Sequence, residues 1–304
     1  MGLELENLLE QCSFSPHAGR DLVCGVSGGP DSAALLALSC RFASGSGSAV
    51  TAVHVDHGIR ADGSAEAAHV AALCDQVGAE LRVVRLELTD GPNLQARARE
   101  ARHAALGPDA LLGHTADDQA ETVLAQLMRG GSVDALAGMR ADRRPLLGLR
   151  RSDTERICEL VGYEPVRDPS NTDRRYLRTR VRHELIPLLC DIAGRDVVPL
   201  LARSAELAAA DSELLDAMAA DVDPTNANEL AAAPVALARR AIRAWLRTPH
   251  PRRHPPDAAA VERVLDVARG AHRATEVGGG RRVSRSAGEL RIEADDGHHG
   301  GQTG

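Results

Sequence analysis

Between residues 21 and 129, short apolar runs alternate with longer segments that carry apolar residues at helical spacing. The runs are typical of buried strands, and the spaced segments are typical of helices that pack on a sheet. Strands separated by helices of ~10–15 residues indicate βαβ units, and therefore a parallel sheet with ligands at the carboxyl ends of its strands. The pattern predicts strands at 21–27, 49–56, 81–88 and 109–113, and helices at 31–40, 64–77, 93–106 and 115–129.

The pattern changes after this alternation. Residues 145–189 are charged and rich in arginine, whereas residues 193–246 are rich in alanine and helical in period. We therefore expect an α/β chain with two domains and a short tail. The expected limits are 1–192 for the α/β domain, 193–293 for a small, mainly helical C-terminal domain and 294–304 for a disordered Gly- and His-rich tail.

Composition narrows the class of protein. The 304 residues are 43% hydrophobic and 26% charged, which is typical of a globular chain. No run approaches the ~18 apolar residues of a membrane span, and the acidic start of the chain lacks the pattern of a signal peptide, so we expect a cytoplasmic protein. The six cysteines include no C-x-x-C pair, which argues against a zinc ribbon or a thioredoxin-type site. We expect them to be small buried hydrophobes.

Charge is spread unevenly along the chain. The net charge of −7 argues against a nucleic-acid partner, yet residues 139–182 hold twelve arginines against seven acidic residues. Such a stripe can still bind phosphates, because attraction between charges is screened beyond ~8–10 Å. The alternative is a solvated arginine-rich face with internal ion pairs, and charge alone does not separate the two.

A candidate phosphate-binding loop joins the first predicted strand to the first predicted helix: Ser27-Gly28-Gly29-Pro30-Asp31-Ser32, here named the phosphate loop. Its glycines let the backbone approach an anion, Pro30 suits a first helical turn, and the serines add hydroxyl groups. Asp31 beside a phosphate requires a cation between them, for which Mg²⁺ is the natural bridge. The alternative is an ordinary Gly-Pro turn with Asp31 as a helix-start charge.

A second motif, Val53-His54-Val55-Asp56-His57-Gly58, ends the next predicted strand. It fits either the wall of a nucleotide site or a metal pair, and the first is favoured in this context. A third motif, around His114, Asp118 and Glu121, lies at another strand-to-helix junction. Asp118 and Glu121 share a helix face and can hold Mg²⁺, hold an ammonium group or accept a proton. The alternative for Asp118 is a capping box with Thr115.

The fourth motif combines Asp168-Pro169-Ser170-Asn171 with the arginine-rich segment 176–187. Arg178, Arg180 and Arg182 cannot all share one helix face, whereas an extended segment would place them on one side. Clustered arginines beside an ATP site can neutralise pyrophosphate or bind RNA phosphates.

These four motifs, in this order, resemble those of the tRNA(Ile)-lysidine synthetases, a family of the PP-loop ATP pyrophosphatase superfamily. The resemblance covers about residues 20–190, and the chain is similar to the short form with one small C-terminal domain. It implies a parallel-sheet PP-loop domain, ATP as cofactor, and free L-lysine and the CAU-anticodon isoleucine tRNA as substrates. The family adenylates the wobble cytidine, and the ε-amino group of lysine then attacks carbon 2 of the ring and displaces AMP.

The resemblance also implies roles for single residues. It assigns the phosphate loop to ATP phosphates, His54 and Asp56 to the surroundings of the adenosine, and His114, Asp118 and Glu121 to lysine and catalysis. Asp31 and Asp118 are the expected Mg²⁺ ligands. The arginines expected to contact lysine or tRNA are Arg102, Arg178, Arg180 and Arg182.

Two departures and two rival functions stay open. The family often has Tyr where this chain has His103, and commonly has Asn where it has Thr179. A tRNA thiolase of the same superfamily is one alternative, although it would need reactive cysteines near the loop. A non-enzymatic nucleotide-binding protein is another, although it would have no use for Asp118, Glu121 and the arginine segment.

Overall fold

The computed structural model describes residues 2–56, 63–86, 94–166, 174–247 and 256–294. The chain divides into two compact units, Met1–Ala209 and Ala210–Gly304. The helices and strands that begin in the first unit are α1 (Gly2–Leu9), β1 (Leu22–Gly25), α2 (Pro30–Ala43), β2 (Val50–Asp56), α3 (Gly63–Val77), β3 (Glu80–Arg85), α4 (Leu94–Leu106), β4 (Leu111–Leu112), α5 (Ala116–Met128), α6 (Val133–Leu136), α7 (Arg151–Val161), α8 (Leu177–Arg180), α9 (Ile186–Ala193) and α10 (Val198–Ala220).

The four strands of the first unit form a parallel sheet in the order β3-β2-β1-β4. Cys24 of β1 lies between Ala52 of β2 and Leu111 of β4. The chain runs from β1 outward to β3 and then returns to the other side of β1. This reversal makes the carboxyl ends of β1 and β4 a topological switch point, where open α/β sheets bind ligands.

Helix α2 anchors the phosphate loop to the core. Its leucines Leu35, Leu36 and Leu38 are fully buried, and the helix packs against α7. A helix that is apolar on all sides lies inside the protein, where close packing leaves it little freedom. The first turn of α2 is therefore held in place by the packing of the rest of the helix.

The α/β class and the alternation of strands and helices are confirmed, with bounds that differ by a few residues from those expected. The expected extended conformation of the arginine-rich segment is wrong. It forms α8, then a π-helical turn over Val181–Leu185, then α9. Apolar residues recur every four positions at Leu177, Val181 and Leu185, and this spacing favours a helix.

The second unit combines helices with a small sheet. Its further elements are α11 (Ala227–Ala232), α12 (Val235–Arg247), α13 (Ala258–Ala268), β5 (Ala274–Glu276), β6 (Arg281–Ser286) and β7 (Glu289–Ala294). The strands form an antiparallel sheet in the order β5-β6-β7. Its buried core includes Ile242, Leu246, Leu265 and Val283. The helices were expected, whereas the sheet was not.

Several expectations fall outside the residues that the structure describes: those for His57 and Gly58, for 168–171 and for the tail after 294. The expected domain limits stay predictions. In the described ranges, no helix is long and apolar enough to cross a membrane.

Candidate functional site

The carboxyl ends of three strands carry the motifs. The phosphate loop follows β1, and His114 follows β4. His54 and Asp56 are among the last three residues of β2. Because the strands are parallel, all of these residues belong to one edge of the sheet.

Hydrogen bonds to backbone atoms of the phosphate loop hold it in place. Gly28 has a φ of +85°, which only glycine adopts without strain. Its carbonyl oxygen accepts hydrogen bonds from the Tyr163 hydroxyl and the Val166 N–H, both at 3.0 Å. Ser32 Oγ accepts from Ser27 N at 3.1 Å and lies 3.0 Å from the carbonyl oxygen of Gly29. The first N–H groups of an α-helix have no partner within the helix, so the start of α2 has the donors that the predicted anion site requires.

Gly113 brings the end of β4 against the phosphate loop. A Cβ atom at this position would lie 2.4 Å from the carbonyl oxygen of Asp31 and 3.0 Å from the nitrogen of Ser32. Any side chain would therefore push the two backbones apart. Glycine at 113 allows the close approach that places His114 and α5 beside the loop.

Asp118 serves the start of α5 and the site together. Its Oδ2 accepts hydrogen bonds from Thr115 N at 3.0 Å and from Thr115 Oγ1 at 3.2 Å, and the first of these belongs to the capping box that was the alternative interpretation. Its Oδ1 lies 3.2 Å from Arg151 Nη2 and 3.6 Å from Arg182 Nη2. The capping role thus occupies one oxygen and leaves the other to positive charges.

Glu121 is the most deeply buried acid of the site, with 1% of the residue exposed. Its Oε1 accepts a hydrogen bond from Arg182 Nε at 2.5 Å. Its Oε2 is buried, and none of the described residues gives it a hydrogen-bond partner. A buried carboxylate oxygen without a donor is costly, so this atom is a candidate contact for a ligand with N–H or O–H groups.

Arg151 joins the phosphate loop to α5. Its Nε lies 3.5 Å from Asp31 Oδ2, while its Nη2 faces Asp118. Burial by itself would lower the pKa of Arg151, but the combined attraction of the surrounding carboxylates, with Asp118 and Asp31 foremost, outweighs burial and raises it. Burial also raises the pKa of Asp31, although a 2.6 Å hydrogen bond from Thr154 Oγ1 and the charge of Arg151 act against it.

Asp117 connects the start of α5 to the start of α7 by hydrogen bonds. Its carboxylate accepts two hydrogen bonds from the Arg150 guanidinium, both at 3.0 Å, and one from Arg151 N at 2.9 Å. Burial would raise the pKa of Asp117, but these hydrogen bonds lower it below its usual value. The backbone at Arg151 is therefore tied directly to α5.

His114 lies in a positively charged setting. Its pKa is lowered to about 4, chiefly by burial and in part by the charges of Arg144, Arg178 and Arg102, which act against the attraction of Asp118. The imidazole is thus neutral at neutral pH and a weak base. Its Nδ1 is buried without a hydrogen-bond partner among the described residues.

His54 and Asp56 of the second motif are both buried. His54 is 2% exposed, and its Nδ1 lies 2.9 Å from the carbonyl oxygen of Val26, directly before the phosphate loop. Its Nε2 is buried without a partner in the described part of the chain. Asp56 pairs with Arg85 of β3 at 3.2 Å.

The structure separates the three arginines of the fourth motif. Arg182 contacts Glu121 and Asp118, and Arg178 donates to Thr122 of α5 at 3.1 Å. Arg180 instead pairs with Glu184 at 3.0 Å and is exposed. Residues 178 and 182 are four apart and share the helix face toward α5, whereas 180 lies on another face.

Sequence reasoning missed four residues that build the site: Gly113, Arg151, Thr154 and Tyr163. Arg151 could have been noticed, because Arg150-Arg151 precedes an acidic helix start in the arginine-rich region. Gly113 was within a motif but had no role. No sequence signal pointed to Thr154 or Tyr163, since their partners Asp31 and Gly28 lie more than a hundred residues away.

Comparisons with known proteins agree with this architecture. Residues 3–189 match the model of a PP-loop domain, and residues 226–291 match that of the TilS substrate binding domain. A tRNA(Ile)-lysidine synthase of Nocardia farcinica is 42% identical over 248 residues, covering 76% of this chain and 77% of the relative. One of Mycobacterium leprae is 43% identical over 241 residues, covering 73% of each.

Among solved structures, the chain is similar in fold to the U34-tRNA thiolase NcsA from Methanococcus maripaludis with its [4Fe-4S] cluster. The TM-score is 0.53 at 17% identity, over 67% of this chain and 78% of that one. This likeness concerns the fold alone. The family models and the relatives over most of the sequence show that the chain belongs to the tRNA(Ile)-lysidine synthase family.

Proposed function

We propose that this chain ligates free L-lysine to the wobble cytidine of the CAU-anticodon isoleucine tRNA in the cytoplasm. ATP adenylates the cytidine and releases pyrophosphate, and lysine then displaces AMP to give lysidine. Membership of the lysidine synthase family and a PP-loop domain support this assignment.

The observation that carries the proposal is the buried Oε2 of Glu121, which lacks a donor among the described residues, next to Asp118. Two carboxylates on one helix face, one with an open acceptor, suit the ammonium group of lysine. Arg151 connects this acidic pair to Asp31 of the phosphate loop. The amine and the nucleotide would therefore bind to adjoining parts of one site.

The acidic pair must both bind lysine and help to deprotonate it. The ε-amine has a reference pKa near ~10.4, so it arrives protonated at neutral pH. A nearby carboxylate favours the ammonium form and opposes attack, unless it also accepts the proton. Glu121 and Asp118 are the groups proposed for this transfer, because their carboxylates would lie next to the ammonium group that they bind, whereas His114 is a neutral imidazole with a pKa of about 4 and does not attract a cation.

Mg²⁺ is proposed as the cation that Asp31 would hold beside the phosphates, whereas Asp118, the other ligand expected from the sequence, is given to lysine. The described residues contain no group of three or more His, Cys, Asp or Glu that could hold a metal ion alone. One carboxylate is nevertheless enough for Mg²⁺, which takes its other ligands from phosphates and water. When bound, the ion would supply positive charge to the phosphates.

Arg178 and Arg102 are proposed contacts for tRNA phosphates. Both contribute positive charge at His114, beside the acidic pair. Arg182 is assigned to the acidic pair itself, since it contacts Glu121 and Asp118. The match to a TilS substrate binding domain supports a further tRNA contact in residues 226–291.

The thiolase alternative is less well supported. Cys158 contacts the phosphate loop, with Sγ 3.6 Å from the carbonyl oxygen of Pro30, and burial raises its pKa to about 12. Burial likewise raises the pKa of Cys24, within β1, to about 12. A thiol with such a pKa carries almost no thiolate at neutral pH and is a poor nucleophile.

The test is a reaction with unmodified tRNA, ATP and labelled lysine. We expect AMP and pyrophosphate in equal amounts, and label in tRNA only when ATP is present. A tRNA whose wobble base is uridine serves as the control. Sulfur transfer to tRNA would favour the thiolase, and nucleotide binding without pyrophosphate release would favour a non-enzymatic protein.

A further inference from the structure

A single guanidinium serves two carboxylates that have different proposed ligands. Arg151 lies 3.5 Å from Asp31 of the phosphate loop and 3.2 Å from Asp118 of the acidic pair. Its side chain is 23% exposed, so the contact is partly shielded from solvent. Arg151 is thus an internal counter-ion for both the phosphate loop and the acidic pair.

Each of the two carboxylates also accepts hydrogen bonds from residues other than Arg151. Asp31 Oδ1 accepts a 2.6 Å hydrogen bond from Thr154, which is fully buried. Asp118 Oδ2 accepts two hydrogen bonds from Thr115. The two acids therefore keep their positions if the guanidinium moves or is removed.

The backbone at 151 is fixed while the side chain reaches out from it. Arg151 N donates to Asp117, and Asp117 is held by two hydrogen bonds from Arg150. Movement at this point is therefore confined to the Arg151 side chain.

We propose that Arg151 is a positioning residue that couples nucleotide binding to lysine binding. The proposal rests on the proposed function, since it takes ATP and lysine as the ligands of the two sides. In the free enzyme Arg151 neutralises Asp118 and competes with the lysine ammonium. Nucleotide phosphates carry more charge than one carboxylate and match a guanidinium with paired hydrogen bonds, so they draw Arg151 away from Asp118. Asp118 then joins Glu121 in binding lysine.

The experiment measures L-lysine affinity by calorimetry on the full chain, with and without α,β-methylene ATP, at constant Mg²⁺. For the wild type we expect lysine to bind about tenfold more tightly in the presence of the analogue, within the usual range of coupling between sites. In Arg151→Met the free enzyme binds lysine more tightly than the wild type, and the analogue changes this affinity by less than about twofold. Arg151→Lys keeps a charge but cannot span both acids, and it retains part of the coupling.

The matched control is Arg156→Met, on the same helix. Arg156 pairs with exposed Glu4 and Glu159, so its loss leaves both lysine affinities unchanged. A merely structural Arg151 would weaken lysine binding in both conditions with the ratio preserved, and that result overturns the coupling. Equal lysine affinity with and without the analogue in the wild type also overturns it. A wild type that binds no lysine in either condition instead removes the proposed function, and the coupling with it.

Discussion

The phosphate-loop side of the site is held by the backbone, whereas the α5 side is held by charged side chains. On the first side, the Gly28 carbonyl is fixed by two hydrogen bonds of 3.0 Å, and Gly113 packs directly against the chain at Asp31. On the second side, Asp118 and Glu121 are held by the guanidinium of Arg182.

The two sides differ in how much the protein must reorganise when a ligand binds. Backbone N–H groups at the start of a buried helix are oriented before the anion binds, so little energy is spent on reorganisation. Carboxylates with internal counter-ions must exchange one cation for another. We therefore expect changes on the first side to act on nucleotide binding, and changes on the second to act on lysine.

Asp31 belongs to both sides, and its loss has the largest expected effect. Asp31→Ala removes the proposed Mg²⁺ ligand at the phosphates and a partner of Arg151. We expect AMP formation to fall by ~10²–10³, the usual cost of losing one preorganised electrostatic contact. The measurement is the steady-state rate of AMP release with tRNA and lysine.

The control for Asp31→Ala is Asp75→Ala, an exposed residue of α3, which keeps the normal rate. Turnover within about threefold of the wild type in Asp31→Ala would take this carboxylate out of the mechanism. The α5 side would then act alone, and the comparison would lose its shared residue.

Gly113→Ala tests whether the phosphate-loop side depends on close backbone contact. The added Cβ would lie 2.4 Å from the Asp31 carbonyl oxygen, and a backbone atom cannot rotate away. We expect a loss of about 3 kcal/mol in the free energy of unfolding, at the upper end of overpacking costs. Urea denaturation measures it.

Gly45→Ala is the matched control, because the nearest atom to its new Cβ is 3.8 Å away. It should stay within about 0.5 kcal/mol of the wild type, as surface substitutions usually do. A Gly113→Ala protein of normal stability would mean that β4 and the loop can move apart.

Glu121→Gln separates the two sides by ligand. The substitution keeps the size of the side chain but removes the charge that faces Arg182 and the open acceptor. We expect lysine affinity to fall by about 2 kcal/mol, typical of a hydrogen bond to a charged group, with ATP affinity unchanged. In single turnover with labelled ATP, adenylated tRNA should accumulate.

Glu155→Gln, an exposed position on α7, controls for Glu121→Gln. Lysidine formation at the normal rate and lysine KM would reduce Glu121 to a structural residue. Failure of adenylation itself would move Glu121 to the ATP side and break the division between the two sides.

Sequence was a better guide to the phosphate-loop side than to the α5 side. Glycine and proline act through their own backbone, so Gly28 and Pro30 predict a turn and a helix start without knowledge of the fold. The partners of the α5 acids are remote: Arg151 lies 33 residues from Asp118, and Arg182 lies 61 residues from Glu121. Only packing decides which arginine meets which acid.

The small sheet of the second unit was missed for a different reason. Its β6–β7 hairpin turns at Ala287 and Gly288, with φ of 51° and 84°. Positive φ at both positions is typical of a type I′ turn, but the usual signal is Asn-Gly or Asp-Gly. Alanine hides that signal, and the many arginines of β6 (Arg281–Ser286) obscure the strand pattern.

The smallest expected effect is a dependence of stability on pH that comes from His114. Asp118 attracts a proton to this ring, while Arg144, Arg178 and Arg102 repel it, and burial dominates to set a pKa of about 4 against 6.5 in the unfolded chain. Between these values the unfolded state binds more protons, so stability falls as pH decreases from about 6.5 toward 4. From pH 6.5 to 5.5 the contribution is about 1 kcal/mol.

Urea denaturation of the nucleotide-free protein measures this pH dependence, with His114→Gln as the reference that lacks this titration. The wild type should lose stability faster than the variant over this range, and the difference should level off below pH 4. Parallel curves would mean that His114 takes up its proton as readily in the folded protein, and that the positive setting of the α5 side is weaker than its arginines indicate.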